Sequence, residues 1–421
     1  MTGLAATSPD DLTTADGVPL KVSLSRAQRR NRIRAVLLVA PLFLFLLVAF
    51  ILPIFDMLLR SVESTEVTTH MPETVRALSG WDGEGLPGEA VFAAAVRDLA
   101  AGSRARTIGR VASRLNYESG GMRSLIMKSA RRSKALERGP YKEALIALDE
   151  RWAQPDVWRL LKRESGNYTL SYYLAALDLR YGADGAIEAK PEHMQIYVNL
   201  FVRTIWMSAL ITVLALLLGY PVAFLLATLP MRQSNLLMIL VLLPFWTSLL
   251  VRTTTWIAIL QSQGVLNDLA VWAGLITNEN RLQLIYNKTG TIIAMTHILL
   301  PFMILPLYSV MKTISPAYMR AARSLGATGF TAFRRVYFPQ TLAGIGAGSI
   351  LVFILAIGYY ITPALVGGQS GRFITNFVAY HMQQSLNWGL AAAIGSLLLG
   401  AVIALYLLYN RLIGVDKMKL G

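Results

Sequence analysis

The sequence predicts an all-α membrane protein that crosses the bilayer six times and carries a large, mainly helical insertion between its first and second spans. Of its 421 residues, 54% are apolar and only 15% are charged, whereas soluble domains carry about a quarter charged residues. The net charge is +15, yet residues 60–199 hold 20 basic and 18 acidic side chains, and the rest of the chain holds 20 and 7. The basic excess therefore belongs to the apolar part of the chain, which is typical of a membrane protein and argues against a nucleic-acid partner.

Six apolar segments are long enough to cross a bilayer, which takes roughly 20 residues. They lie at residues 35–55, 200–227, 236–260, 291–311, 342–361 and 390–409. The first is longer than the apolar core of a signal peptide and no small-residue cleavage site follows it, so we expect it to remain as a span. The predicted parts are a tail (1–34), a first span (35–59), an insertion (60–199), a five-span core (200–409) and a second tail (410–421).

Six spans place both termini on one side of the membrane, and the charge of the short loops selects that side. The tails and the loops on the side of the termini hold 15 Lys and Arg residues, against three in the short opposite loops. Because basic loops stay in the cytoplasm, we expect both termini to be cytoplasmic and the insertion to lie outside. Within the insertion, the helical spacing of Leu145, Leu148 and Trp152 predicts a mainly helical layer.

Several kinds of chemistry lack the residues they need. The chain has no cysteine, no GxxxxGK[ST] phosphate loop and no HExxH motif. Its four histidines, His70, His193, His297 and His381, are far apart, so we expect no metal site, cofactor or catalytic activity. His297 lies inside the fourth span, as a functional residue or as a neutral histidine bonded to a neighbouring helix. Acids are almost missing from the spans, so uphill transport would take its energy from another subunit.

The segment between the fourth and fifth spans, loop 312–341, is the most informative part of the chain. Its sequence is KTISPAYMRAARSLGATGFTAFRRVYFPQT. Ser315-Pro316 is a helix start, Gly326 fits the left-handed position that ends a helix, and Thr328 can cap a second helix. We expect Pro339 to stop this second helix before the fifth span. The loop is thus predicted to form two short helices along the inner surface, which lie either on a partner protein or on anionic lipid.

The loop resembles a motif of the permease subunits of bacterial ATP-binding-cassette importers: EAA, three residues, G, nine residues, I-x-L-P. The corresponding residues here are Arg320-Ala321-Ala322, three residues, Gly326, nine residues, and Val336-x-Phe338-Pro339. The spacing matches throughout, while an arginine replaces the glutamate. The segments PFWTSLLVRTTTW at 244–256 and YYITPALVGG at 359–368 are similar to the spermidine/putrescine branch. The resemblance covers about residues 195–415 and not the insertion.

This resemblance implies a type-1 importer permease core in the bacterial inner membrane, with the insertion in the periplasm. It implies that loop 312–341 docks on an ATPase subunit, through Arg320, Ala321, Ala322, Gly326, Phe330, Phe333, Val336 and Pro339. It also implies a second, homologous but distinct permease subunit, a periplasmic solute-binding protein, contact with membrane lipid, and polyamines or related small organic solutes as cargo.

Residues that can line a translocation pathway lie in and after the third and fifth spans. They are Trp246, Thr247, Arg252, Thr254, Tyr359 and Tyr360. In a straight helix Arg252 lies about 24 Å beyond Leu236, at ~1.5 Å per residue, so it either lines the pathway or reaches the outer interface. Aromatic faces suit an ammonium group, but they also pack at membrane interfaces. The alternatives to an ATP-driven importer are a self-sufficient secondary transporter or channel, and a membrane scaffold.

Overall fold

The computed structural model of the chain describes residues 20–136, 139–182 and 185–413, in two compact units that divide after Leu59. The first unit is one long helix, Leu20–Leu46, which continues through a π-helical turn, Leu47–Ile51, into Leu52–Arg60. Most of its side chains are exposed, including Leu38 at 81%, as expected for a helix that faces lipid. The predicted first span is confirmed as an apolar helix, and the helix begins already within the predicted tail 1–34, of which residues 1–19 lie outside the described residues.

The second unit begins with a helical lobe, residues 66–163, that has a hydrophobic core of its own. Its helices are Glu66–His70, Pro72–Leu78, Glu89–Arg104, Ile108–Glu118, Met122–Arg132, Tyr141–Leu148 and Pro155–Arg163, with 3-10 turns at Ser133–Leu136 and Glu150–Ala153. Phe92, Trp152 and Trp158 are fully buried at the centre, and the rings of Phe92 and Trp158 are 4.5 Å apart. The mainly helical character predicted for the insertion is confirmed.

The segments by which the chain enters and leaves the lobe are paired with each other. The Ser64 N–H donates to the Asn167 carbonyl at 2.9 Å, and the Thr169 N–H donates to the Val62 carbonyl at 2.7 Å. The segment that follows comprises the helix Ser171–Ala176, two antiparallel strands, Leu179–Tyr181 and Ile187–Ala189, and a 3-10 turn, Glu192–Met194. The sequence analysis missed this strand pair, because strands of three residues are too short to show an alternating pattern.

The predicted second, fourth, fifth and sixth spans are helices that are long and apolar enough to cross a membrane. They are Tyr197–Thr228, Lys288–Thr313, Phe338–Gly358 and Trp388–Ile413. The second, fourth and fifth span helices share one buried core. An added Cβ at Gly348 would lie 2.8 Å from the Met303 Sδ, so the fourth and fifth span helices approach too closely for a larger residue there.

The third predicted span is not one straight helix. Met231–Leu242 and a 3-10 turn, Leu243–Trp246, end at a break, and the helices Leu249–Leu260 and Val265–Trp272 follow. The chain bends by 98° at this break. Pro244 cannot donate a helical hydrogen bond, and the Ser248 Oγ caps the next helix by accepting from the Val251 N–H at 3.2 Å. The predicted straight path that places Arg252 about 24 Å beyond Leu236 is therefore wrong, because the helix axis turns before Arg252.

Candidate functional site

The first half of loop 312–341 folds as its sequence predicts. The Ser315 Oγ accepts from the Ala317 N–H at 3.3 Å and caps the helix Pro316–Ser324. Gly326 ends this helix with φ at +89°. Its N–H donates to the Arg323 carbonyl at 3.0 Å, and the Ala327 N–H donates to the Ala322 carbonyl at 3.1 Å. This pair of bonds is a Schellman motif, which satisfies the last carbonyls of the helix and reverses the chain.

The second half of the loop differs from the prediction. Thr328 does cap a helix, because its Oγ1 accepts from the Thr331 N–H at 3.2 Å. However, the helix Gly329–Ala332 continues through a π-helical turn, Phe333–Tyr337, directly into the fifth span helix. The prediction that Pro339 stops this helix is wrong, because the helix runs without a break from Gly329 to Gly358. The π-helical turn ends two residues before Pro339 and changes the backbone bonding where the proline lacks its N–H, so the helix continues. The second helix of the loop is thus an extension of the fifth span helix.

The structure separates the residues predicted to contact an ATPase into free and packed groups. Phe330 is 73% exposed, whereas Phe333 packs inside the chain, with its ring 5.8 Å from Phe224 and stacked on Tyr337. The other exposed members of the predicted set are Arg320, Ala321, Gly326 and Pro339, and the half-buried members are Ala322 and Val336. Leu325 is 90% exposed beside the turn, a residue that the sequence analysis missed because apolar residues ordinarily predict burial.

Loop 312–341 is also strongly basic, with five Lys and Arg residues and no Asp or Glu. No Asp or Glu occurs between residues 280 and 415. The exposed arginines Arg320, Arg323, Arg334 and Arg335 form no ion pair with any residue that the structure describes. The loop therefore combines exposed apolar side chains with uncompensated positive charge, a combination suited to a partner surface.

The candidate pathway residues fall into two groups. Arg252 follows the 98° bend and lies within electrostatic range of Tyr359 and His297. Among the described residues it has no ion-pair partner, and its Nε is buried without a hydrogen bond. The Trp256 indole N–H donates to the His297 Nδ1 at 3.2 Å, so this histidine contacts a neighbouring helix. Two of the six pathway candidates, Arg252 and Tyr359, thus lie within electrostatic range of each other.

The remaining pathway candidates are less specific. The Thr247 hydroxyl donates to the Pro244 carbonyl at 2.8 Å, and the Thr254 hydroxyl donates to the Leu250 carbonyl at 3.0 Å. Both hydroxyls therefore satisfy the backbone of their own segment. Trp246 is 74% exposed, and Tyr360 contributes its backbone carbonyl to a hydrogen bond from Asn376. The structure does not join these four side chains to Arg252.

The second span helix is capped at its N-terminus by a carboxylate from the preceding segment. The Asp178 Oδ1 accepts from the N–H groups of Ile196 and Tyr197 at 3.0 and 3.1 Å, and the Oδ2 accepts from the Val198 N–H at 2.8 Å. Asp178 is buried and adopts a left-handed backbone. A carboxylate at this end of a helix satisfies free donors and opposes the positive end of the helix dipole. No local pattern predicts it, because Asp178 is distant in sequence from the helix that it caps.

A tyrosine pair attaches the segment after the lobe to the sixth span helix. The Tyr172 ring lies against Gly389, where an added Cβ would overlap it. The Ser396 hydroxyl donates to the Tyr173 hydroxyl at 2.8 Å, and Ser61 is also hydrogen-bonded to that hydroxyl. The helix Ser171–Ala176 therefore packs against the sixth span helix, through contacts between residues that are more than 200 positions apart in the sequence.

A second polar cluster joins the lobe to the helix Ile374–Gln383. The His381 imidazole is hydrogen-bonded to the Tyr197 hydroxyl and to the Ser385 hydroxyl, both at 2.8 Å, and the Tyr117 hydroxyl of the lobe donates to the Ser385 carbonyl. Burial, followed by the charge of Lys190, lowers the pKa of His381 to about 4. The imidazole is therefore neutral at physiological pH, as a histidine with two hydrogen-bond partners in a buried cluster is expected to be.

Known proteins match about half of this chain, and the family match lies in its span region. The sequence profile of the family described as "Binding-protein-dependent transport system inner membrane component" matches residues 215–414. The chain is 35% identical over 236 residues to the spermidine/putrescine transport system permease protein PotB of Haemophilus influenzae, a match that covers 53% of this chain and 82% of the relative. It is 32% identical over 221 residues to PotB of Escherichia coli, which covers 52% and 80%.

Among solved structures, the chain is similar to a bacterial ABC transporter involved in the import of the acidic polysaccharide alginate. The TM-score is 0.44 at 19% identity, with 53% of this chain and 80% of that chain covered. The family profile begins at residue 215, after the helical lobe.

Proposed function

The chain belongs to the family of binding-protein-dependent transport system inner membrane components, and from this premise we propose that it carries polyamines or related small organic solutes across the bacterial inner membrane. ATP hydrolysis would occur in a separate ATPase subunit that contacts loop 312–341. A second, homologous but distinct permease would complete the pathway, and a periplasmic binding protein would deliver the solute. The observation that carries the proposal is the loop: a Schellman turn at Gly326 presents exposed Leu325 and Phe330 beside arginines that pair with no acid among the described residues.

The loop supports alternating access because its second helix is continuous with the fifth span helix. A shift of the ATPase surface against Phe330 would move Gly329–Ala332, and the fifth span helix would follow. This helix packs closely on the fourth at Gly348 and ends at Gly358, and the next residue, Tyr359, lies within electrostatic range of Arg252. ATP-driven movement at the loop would thus reach the candidate pathway through one continuous element.

The charge of the span region bears on where the solute is selected. Residues 197–413 contain 12 basic and 2 acidic residues, so the span region offers little acidic surface to a polyamine. We infer that selectivity for a cationic solute resides mainly in the binding protein. The relatives named above are spermidine/putrescine permeases, which supports polyamines as the first solutes to test.

Uptake by the reconstituted complex tests the proposal. Proteoliposomes that contain both permeases and the ATPase are loaded with ATP and supplied with binding protein and labelled spermidine or putrescine. We expect ATP-dependent uptake, and we expect Phe330→Ser to abolish it by removing the apolar contact with the ATPase. Tyr168→Ser is the matched control, because Tyr168 is a similarly exposed aromatic residue (75% against 73%) at the base of the lobe. Uptake driven by an ion gradient without the ATPase would instead establish a secondary transporter, and the absence of any uptake would favour a scaffold.

We further propose that the lobe lies in the periplasm, with both termini in the cytoplasm, and contacts the binding protein or the partner permease. Its self-contained core and paired base allow a clean deletion of residues 65–166, bridged by a short Gly/Ser turn between Ser64 and Asn167. This deletion keeps Tyr172 and Tyr173 on the sixth span helix. We expect ATPase binding to persist and stimulation by the loaded binding protein to fall; unchanged stimulation and uptake would exclude a role in delivery.

Sidedness is tested with single cysteines, because the natural chain has none. A cysteine at exposed Ser79 of the lobe should react with an impermeant thiol reagent added to spheroplasts. A cysteine at exposed Ser315 should react only after the membrane is opened. The reverse pattern would invert the topology.

A further inference from the structure

The exposed face of the helix Pro316–Ser324 indicates which chemical groups a complementary partner surface must have. We propose that this face is received by a cleft on the ATPase that has an acidic edge against Arg320 and Arg323 and an apolar edge against Tyr318 and Leu325. The inference rests on the proposed function and adds the chemical character of the partner surface.

The geometry of the helix defines the free face. Met319 and Ala322, three residues apart, are half-buried, and Met319 packs against the core shared by the span helices. At about 100° per residue, the opposite face of the helix presents Ala317, Ala321 and Ser324. All three are exposed. The side of the helix that points away from the chain is therefore lined by small side chains.

The two edges of this face differ in chemistry. The same rotation places Arg320 and Arg323 on one edge and Tyr318 and Leu325 on the other. Tyr318 is 54% exposed and Leu325 is 90% exposed. Neither arginine has an ion-pair partner in the described chain, and no acidic residue occurs between 280 and 415, so nearby sequence supplies no countercharge. Charge complementarity therefore calls for carboxylates on the partner along the arginine edge.

The small residues favour a protein cleft over a lipid surface. A helix that binds a membrane presents large apolar side chains on the face that enters the lipid. Here that position is occupied by Ala317, Ala321 and Ser324, which bury little apolar area but allow another surface to approach closely. The large apolar residues Tyr318 and Leu325 occupy only one edge, which suits the wall of a cleft.

A titration separates the two edges. The detergent-purified permease pair, without anionic lipid, is titrated with the ATPase at several NaCl concentrations. For the variant Arg320→Glu/Arg323→Glu we expect at least about tenfold weaker binding at low salt, because two attractions become repulsions, and a weaker or inverted salt dependence. Leu325→Ser should weaken binding while its salt dependence stays like that of the natural chain. Arg411→Glu, the same reversal of charge at a single arginine at the end of the sixth span helix, should bind normally.

The outcomes distinguish this inference from the coupling function on which it rests. If Arg320→Glu/Arg323→Glu binds normally while Leu325→Ser does not, the acidic edge is refuted and coupling stands. If neither variant affects binding, coupling through this loop is refuted as well. A defect that occurs only in anionic vesicles, and not in detergent, would assign the arginines to lipid and overturn the proposal.

Discussion

Replacement of Gly326 by valine tests whether the turn of loop 312–341 is needed for the ATPase contact. Gly326 adopts a φ of +89°, and no atom lies within 4 Å of an added Cβ. An added Cβ therefore meets no other part of the chain, so the cost within this chain comes from the backbone conformation. This separation makes the expected cost calculable.

The free-energy cost of Gly326→Val depends on whether the turn persists or opens. If the turn persists, an L-residue in the left-handed region costs about 1–2 kcal/mol, and a β-branched side chain is the least tolerant of it. If the turn opens, the bonds from Gly326 to Arg323 and from Ala327 to Ala322 are lost, each worth about 0.5–1.5 kcal/mol net. The loop adopts the less costly alternative, so the backbone strain of about 1–2 kcal/mol sets the upper limit and the population that can dock falls by roughly five- to thirtyfold.

The assay is ATPase affinity in detergent across a graded series at this position. Gly326→Asn should stay close to the natural chain because asparagine tolerates the left-handed region, Gly326→Ala should be intermediate, and Gly326→Val should bind most weakly. Gly329→Ala is the control, since Gly329 has no positive φ and its added Cβ would lie at an ordinary 3.5 Å from the Arg323 guanidinium. Equal affinity of Gly326→Val and Gly329→Ala would refute the reasoning.

Three further predictions concern the contacts between the lobe segment and the spans. Asp178→Ala leaves three N–H groups without their acceptor and should lower the free energy of unfolding by about 1–3 kcal/mol, visible as a lower Tm in detergent; an unchanged Tm would exclude the cap. Gly389→Leu should also lower the Tm because its side chain overlaps the Tyr172 ring, and Tyr172→Ala should restore part of the loss; no recovery would contradict this packing. The folded state holds His381 neutral with a pKa of about 4, whereas the pKa of this histidine in the unfolded state is about 6.5. Below pH 6.5 the unfolded state therefore binds more protons than the folded state. The free energy of unfolding is at its full value above that pH and falls by roughly 3 kcal/mol as the pH drops toward 4. The loss of Tm between about pH 7.5 and pH 5 should therefore be smaller in His381→Asn, and equal losses would assign the pH dependence to another group.

Predictions that depended on a few neighbouring residues were the accurate ones. Ser315, Gly326 and Thr328 have the roles that their side chains predict, because a cap or a left-handed turn involves only the next few backbone groups. Pro339 was assigned wrongly because a proline inside a helix ordinarily ends or kinks it. Here the π-helical turn Phe333–Tyr337 precedes the proline and rearranges the backbone bonds at that point, so the helix continues.

Predictions that depended on which way a side chain or a helix axis points in the fold were less complete. Phe330 and Phe333 are the same residue type on neighbouring turns, yet one is exposed and the other is enclosed by Phe224 and Tyr337. The break after Trp246 was recognisable from Pro244, but a bend of 98° was not, because proline predicts an interruption and the surrounding packing decides its angle.

Composition and short motifs alone determined that this chain is a helical membrane protein, where its spans lie and which loop has the chemistry of a partner contact. These properties depend on the transfer of apolar segments into lipid and on backbone bonds within a few residues, and both are local. Only the tertiary structure decided that Asp178 caps the second span helix, that Tyr172 packs on Gly389, and that Leu325 is exposed while Phe333 is packed inside the chain. Such contacts join residues far apart in sequence or depend on which face of a helix the rest of the fold covers, so no window of the sequence contains them.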